Sequence, residues 1–132
     1  MKSWTFFSLI IIVLACQKES PPEEFILSEV IIGKWQHVQS MDFPFSNTEW
    51  EALSYEGSIY IFKVYNTFMV KVESQDFQPG TYIVDDSTNT IQTIFRGIQV
   101  EVASVTIIDK DEIIFSTSGD EGIMKQKYKR LE

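Results

Sequence analysis

The chain of 132 residues contains one cysteine, Cys16, and one histidine, His37. A lone cysteine excludes any disulfide within the chain. With no second cysteine or histidine beside it, His37 lacks partners for a zinc site of nitrogen and sulfur ligands. Basic charge is scarce as well: 11 Lys and Arg stand against 19 Asp and Glu, a formal net charge of −8. Such an acidic body is a poor nucleic-acid binder, because phosphate contacts need Lys and Arg. It also offers no basic patch to grip anionic lipid head groups. No apolar run is long enough to span a bilayer: Phe6 to Leu14 is nine residues, apolar except for Ser8, where about twenty are needed. No Gly-x-Ser-x-Gly and no Ser-His-Asp constellation is apparent, which argues against an enzyme.

What is present begins with the order of the first sixteen residues. Lys2, a brief apolar core and the small residue Ala15 are the marks of a secretory signal peptide. An ordinary signal peptide would leave Cys16 as an unpaired thiol in an oxidising compartment. The four residues "VLAC" at 13–16 resemble the bacterial lipobox, in which an aliphatic, a variable and a small residue precede a cysteine that is acylated before cleavage. The resemblance implies that residues 1–15 are removed and that Cys16 carries the lipid, which rules it out as a nucleophile. Acyl chains contribute about 0.8 kcal/mol per buried methylene, so two or more anchor a protein stably without a transmembrane helix. Loss of Lys2 moves the formal charge from −8 to −9, and the remaining 117 of 132 residues suit one domain.

Residues 16–24 read as the lipidated cysteine and an extended tether. "QKESPPEE" holds three Glu, one Lys and a Pro pair, with nothing apolar to bury. At about 3.1 Å per residue it would hold a domain roughly 25 Å from the membrane. "CQKES" is similar to the short Lys-plus-acidic export signal of Bacteroidetes lipoproteins, which implies an outer-membrane location and surface display. The plainer alternative is a solvated tether without a sorting message.

From residue 25 to residue 132 the texture changes to short runs rich in Ile, Val, Phe, Tyr and Thr separated by turn residues, an all-β signature. "KWQHVQ" is the first expected strand. "GSIYIFKV" and "TFMVKVE" flank the turn "YN", "GTYIVD" and "TIQTIF" flank "DSTN", and "IQVEVASVTII" and "EIIFSTS" flank "DKD". "GIMKQKYKRL" ends the series, giving about eight antiparallel strands in meander order. "FILSEVII" is expected to form a helical turn and "SNTEWEAL" a short helix capped by Ser or Asn. In "IQVEV", alternation puts Ile98, Val100 and Val102 on one face, with Gln99 and Glu101 on the other. Val105 and Ile107 have the opposite parity, so a β-bulge is expected near Ala103–Ser104.

"IIGKWQHV" and the closing "KYKRLE", with "SIYIFKVYNTFMV" and "GTYIVDDSTNTIQT" between them, resemble the small lipocalin-like (calycin) domains of bacterial lipoproteins. The resemblance covers about Ile32 to Glu132 and implies an up-and-down barrel. It implies structural roles for Gly33, Trp35 and Arg130, with Trp35 across the barrel floor beneath the Arg130 guanidinium. The chain is shorter than a true lipocalin and has no disulfide, so the ligand chemistry of the larger proteins does not transfer with the fold. An eight-stranded barrel is just wide enough to be filled by side chains or to hold one small ligand.

Function then turns on which of these holds. Tyr60, Phe62, Phe68, Tyr82, Phe95, Phe115 and Tyr128 fall on expected inward faces, where they either line an apolar cavity or simply fill the barrel. The connection from Ser40 to Gly57 carries Phe43, Phe45, Trp50 and Tyr55, which read as a lid, an exposed docking patch or a plug. Acidic pairs at Asp85–Asp86, Asp109–Glu112 and Asp120–Glu121 sit in turns; carboxylate pairs can bind Ca²⁺ or act in glycoside hydrolysis, yet none has the EF-hand pattern. His37 reads as structural or solvent-facing. The expectation is a membrane-anchored binding protein without a cofactor. Its partner is either a small apolar or amphipathic ligand in the barrel or, for a solid barrel, a surface protein or glycan at residues 40–57.

Overall fold

A computed structural model describes residues 24–43, 49–95, 98–119 and 122–131. The lipobox, Cys16, most of the tether, Phe45 and Asp120–Glu121 lie outside the described residues. The elements are a helical turn α1 (Leu27–Val30) and nine strands: β1 (Gly33–Phe43), β2 (Glu51–Ala52), β3 (Ile59–Lys63), β4 (Thr67–Lys71), β5 (Gln78–Asp85), β6 (Thr90–Phe95), β7 (Ile98–Asp109), β8 (Glu112–Gly119) and β9 (Gly122–Leu131). Every pairing is antiparallel. The sheet runs in the order β2-β1-β3-β4-β5-β6-β7-β8-β9, and β1 also pairs with β9. The result is a closed eight-stranded barrel with β2 added beside β1, the architecture expected of a lipocalin-like domain. Closure leaves β1 and β9 no free edge along their nine paired positions, from Lys34↔Leu131 to Phe43↔Ile123.

One end of the barrel is sealed. Leu27 and Ile31 of the α1 segment are fully buried, each burial stabilising by about 1.5–3 kcal/mol. The Trp35 ring crosses the floor beside them, and its indole Nε1–H donates to the Ile31 carbonyl at 2.8 Å. Arg130 lies over that ring, its guanidinium carbon 4.3 Å from the centroid. The same guanidinium donates to the carbonyls of Ile32, Val30 and Lys110 at 2.7–2.8 Å. It thereby satisfies carbonyls that the end of a one-turn helix leaves open. A Cβ on Gly33, whose φ is +138°, would collide with the Arg130 guanidinium. Ser28 adds a further tie, donating through its amide and its hydroxyl to the two Asp86 carboxylate oxygens at 2.8 and 2.7 Å.

Two expectations are corrected. Residues 51–52 form strand β2 against Gln39 and Ser40, not the second half of a short helix. The edge of β1 past its bulge at His37–Gln39 offers unpaired backbone groups, and that pairing outweighs local helix propensity. The bulge in β7 lies at Gln99–Glu101, opposite Thr93 and Ile94, rather than at Ala103–Ser104. Consequently Glu101, Ala103 and Val105 share the inward face, whereas Val102 is 50% exposed.

The "YN" turn forms as read, with Tyr65 and Asn66 both at positive φ (66° and 61°). That is the backbone a tight hairpin requires. Among the described residues, no helix is long and apolar enough to cross a membrane.

Candidate functional site

Alternation along each strand sends one set of side chains into the barrel. Trp35, Phe62, Phe68, Tyr82, Phe115 and Tyr128 are at most 4% exposed. All but Trp35 form a ladder of ring contacts, with centroids 5.0 Å apart for Phe62–Tyr82, 5.8 Å for Phe62–Phe68 and 4.8 Å for Phe115–Tyr128. Gly80 stands opposite Phe68 in the β4–β5 register. Its missing side chain leaves room for the Phe68 ring, which a Cβ there would meet at 2.5 Å. This half of the interior is filled.

Filling stops toward the end opposite α1. A cleft of about 450 Å³ opens there, walled by Tyr60, Phe68, Val70, Val72 and Phe95 and edged by Gln75, Asp76, Gln78 and Thr93. The β4–β5 connection, residues 72–77, forms one rim. Of the seven aromatic candidates, Tyr60, Phe68 and Phe95 face this cleft. Phe62, Tyr82, Phe115 and Tyr128 pack below or beside it. The Tyr82 hydroxyl is already committed, donating to the Lys63 carbonyl at 2.7 Å near the floor.

Tyr60 joins the cleft to a polar group inside the barrel. Its ring stacks on Phe62 at 5.6 Å and meets the edge of Tyr128 at 5.7 Å. Burial, reinforced by the negative charge of Glu101, pushes its phenol up to about 12. The Tyr128 hydroxyl is raised well above its ordinary range by burial, then by Tyr60, Glu101 and Tyr55. Burial also raises the Glu101 carboxyl. All three shifts have the same primary cause, loss of water around the charged form.

His37 belongs to this interior too. It is 5% exposed and stacks on Tyr128 at 5.2 Å. Its Nε2 lies 3.0 Å from the Gln39 carbonyl and 2.8 Å from the Ser40 hydroxyl. A carbonyl only accepts, so Nε2 carries the proton. Burial lowers the His37 pKa against the opposing effect of the Gln39 carbonyl, which favours the neutral ring.

The loop aromatics separate. Trp50 packs beneath the Lys127 ammonium, 4.4 Å from nitrogen to ring centroid. Lys127 also pairs with Glu112 at 3.6 Å. Both β9 and β8 turn these residues away from the interior, so Trp50 clasps the outer wall rather than covering the mouth. Tyr55 is exposed. The backbone of Phe43 ends β1, and its side chain lies outside the described residues. Gly57 closes this connection tightly, since a Cβ there would strike the His37 carbonyl.

Asp85 and Asp109 each hold their own turn. Asp85 accepts from the Ser87 amide and hydroxyl, which lowers its pKa. Asp109 accepts from the Asp111 amide at 2.7 Å. Among the described residues, no group of three or more His, Cys, Asp or Glu is placed to hold a metal ion.

Val70, Val72, Gln75, Asp76, Gln78 and Thr93 are cleft residues that the choice of aromatics alone passes over. Glu101 was missed for a different reason: "IQVEV" alternates cleanly, but the bulge reverses its sense. The signal lay downstream, because stepping back by twos from Ile107 and Val105 reaches Ala103 and then Glu101. No protein-family model matches the chain, and no curated protein matches it, so function is read from the cleft itself.

Proposed function

We propose that the protein is a lipoprotein of the cell envelope, anchored at the outer membrane through Cys16, whose barrel binds a small apolar or amphipathic molecule. The observation that carries the binding is the cleft of about 450 Å³ between Tyr60, Val70 and Phe95. Ligand sites commonly measure about 300–1,000 Å³ and combine apolar walls with a few polar groups that orient the ligand. Here Gln78, Thr93 and the Tyr60 phenol supply the polar groups, and the stacked rings beneath supply a rigid base. "VLAC" and the acidic tether support the anchor, and "CQKES" supports export to the cell surface.

Native mass spectrometry tests the binding on the chain from Gln17 onward, which holds every described element. Purified from lipid-rich cells, it should retain a small molecule that is lost on Val72→Trp. A chain that emerges empty and takes up no amphiphile sinks the reading.

A second reading, docking of a protein or glycan through residues 40–57, has the exposure of Tyr55 in its favour. Cell-surface binding abolished by Tyr55→Ala and indifferent to Val72→Trp would favour it. For the anchor, Cys16→Ser should release the protein from membranes, and unchanged retention would refute the lipobox. For display, replacing Lys18 and Glu19 with Ala should reduce protease access on intact cells.

A further inference from the structure

Glu101 is a carboxylate in an unusual place. The alternation that buries Ala103 and Val105 turns Glu101 inward, and the β6–β7 register sets it opposite Thr93, one of the cleft residues. Its charge acts on Tyr60, another wall of the cleft, and on Tyr128 behind it. The carboxylate is therefore a neighbour of the cleft: it faces in from β7, across the β6–β7 ladder from the cleft residue Thr93. Desolvation alone accounts for its raised pKa, and no hydrogen bond or ion pair with a described residue offsets it.

Among the described residues the interior offers Glu101 no counter-charge. Among the described residues, the only Lys or Arg at an inward strand position is Arg130. It lies at the opposite end of the barrel, held by three carbonyls and by Asp111 at 3.5 Å. Asp76 adds a second acidic group at the rim.

A ligand with an anionic head would face two carboxylates, Glu101 beside the cleft and Asp76 at its rim, and, among the described residues, no internal cation. A neutral one would leave Glu101 half-desolvated and unpaired, which is costly. A cationic head group would neutralise Glu101, and the ring faces of Tyr60, Phe68 and Phe95 would attract it further. The net charge of −8 also raises the local concentration of cations around the protein.

We propose that the cleft selects cationic amphiphiles, an alkyl chain with an amine or quaternary ammonium head, with Glu101 as the counter-charge. The proposal rests on the binding reading above and sharpens it.

Calorimetric titration of the chain from Gln17 with three ten-carbon probes at neutral pH tests it: decyltrimethylammonium, the similarly shaped but uncharged decyldimethylamine oxide, and decanoate. The ammonium should bind at least about tenfold more tightly than either of the others. Glu101→Gln should abolish that preference, weakening ammonium binding while amine oxide binding is kept or tightened, since the cost of an unpaired carboxylate is gone. Glutamine is nearly isosteric, and unchanged circular dichroism with retained amine oxide binding would show that the fold is intact. Asp76→Asn should erode the preference by a smaller factor. Equal affinity for all three probes, tightest binding of decanoate, or a preference that survives Glu101→Gln overturns cation selection and leaves the binding reading standing. If none of the three binds, both are overturned.

Discussion

The two ends of this barrel put the same kinds of residue to opposite uses. At the closed end an aromatic ring and a charged group, Trp35 and Arg130, are fully engaged: the ring is buried, and the guanidinium reaches three carbonyls. At the open end the aromatic Tyr60 and the charged Glu101 also lie within a few strands of each other, but the space between the walls is left unfilled. Satisfied polar groups in a dense core stabilise a fold; partly satisfied ones beside a cleft are ready for a ligand. The difference teaches that dense packing and open space have been separated along the barrel axis, so stability and the proposed binding can each be altered with little effect on the other.

The most severe way to break this contrast is to empty the floor. Trp35→Ala should cost about 3–5 kcal/mol by denaturant unfolding, because it removes a fully buried ring and leaves the guanidinium without its π face. A loss below about 1 kcal/mol would mean that α1 and Arg130 seal the floor unaided. Next comes the boundary between the halves. Gly80→Ala forces a methyl against the Phe68 ring and the Ile94 carbonyl. It should cost about 1–3 kcal/mol, and it should weaken ligand uptake as well, because Phe68 also walls the cleft. An unchanged protein would show that Phe68 can tilt freely.

A change confined to the open half should leave stability alone. Val72 is 45% exposed at the rim, so Val72→Trp should shift stability by no more than about 0.5 kcal/mol while abolishing retention of a small molecule. A large drop in stability would place Val72 in the core rather than at a binding surface.

The subtlest probe is pH. Burial raises Glu101 in the folded state, so the unfolded chain releases its proton first. Between the unfolded value of about 4.3 and the raised folded value, stability should fall as pH rises. Glu101→Gln should remove that slope and make the protein slightly more stable at neutral pH, with no gain well below the unfolded value. His37 has the opposite sign. Its lowered pKa gives stability that is present above the unfolded value of about 6.5 and is lost as pH falls through the folded one. Unfolding midpoints across this range for both single variants would separate the two slopes. If Glu101→Gln leaves the profile unchanged, the carboxylate is well solvated and the contrast between floor and mouth narrows.

Much of this was legible along the chain. Turn residues between β-rich runs located every long strand. These features are local: period-two alternation and turn chemistry act over a few residues, and a clear pattern leaves the backbone little choice. The seven aromatics were correctly read as inward, since alternation settles the face of a side chain.

Alternation does not say how far along the axis the filling extends. Tyr82 and Tyr60 look alike in sequence, yet one bonds the floor and the other borders a cleft. That difference follows from the stagger of strands far apart in the chain. Residues 51–52 became a strand because a neighbouring edge was open, not because of their own propensity.

By itself, then, the sequence determined an acidic, disulfide-free chain of meandering strands, because charge, turn chemistry and alternation are properties of neighbouring residues. Only the tertiary structure decided that the barrel closes on β1 and β9, that its far half stays open, and that Glu101 faces in. The last of these hangs on one bulge opposite Thr93 and Ile94, where a single extra residue turns the strand over. A bulge is a relation between two strands, and neither strand alone encodes it.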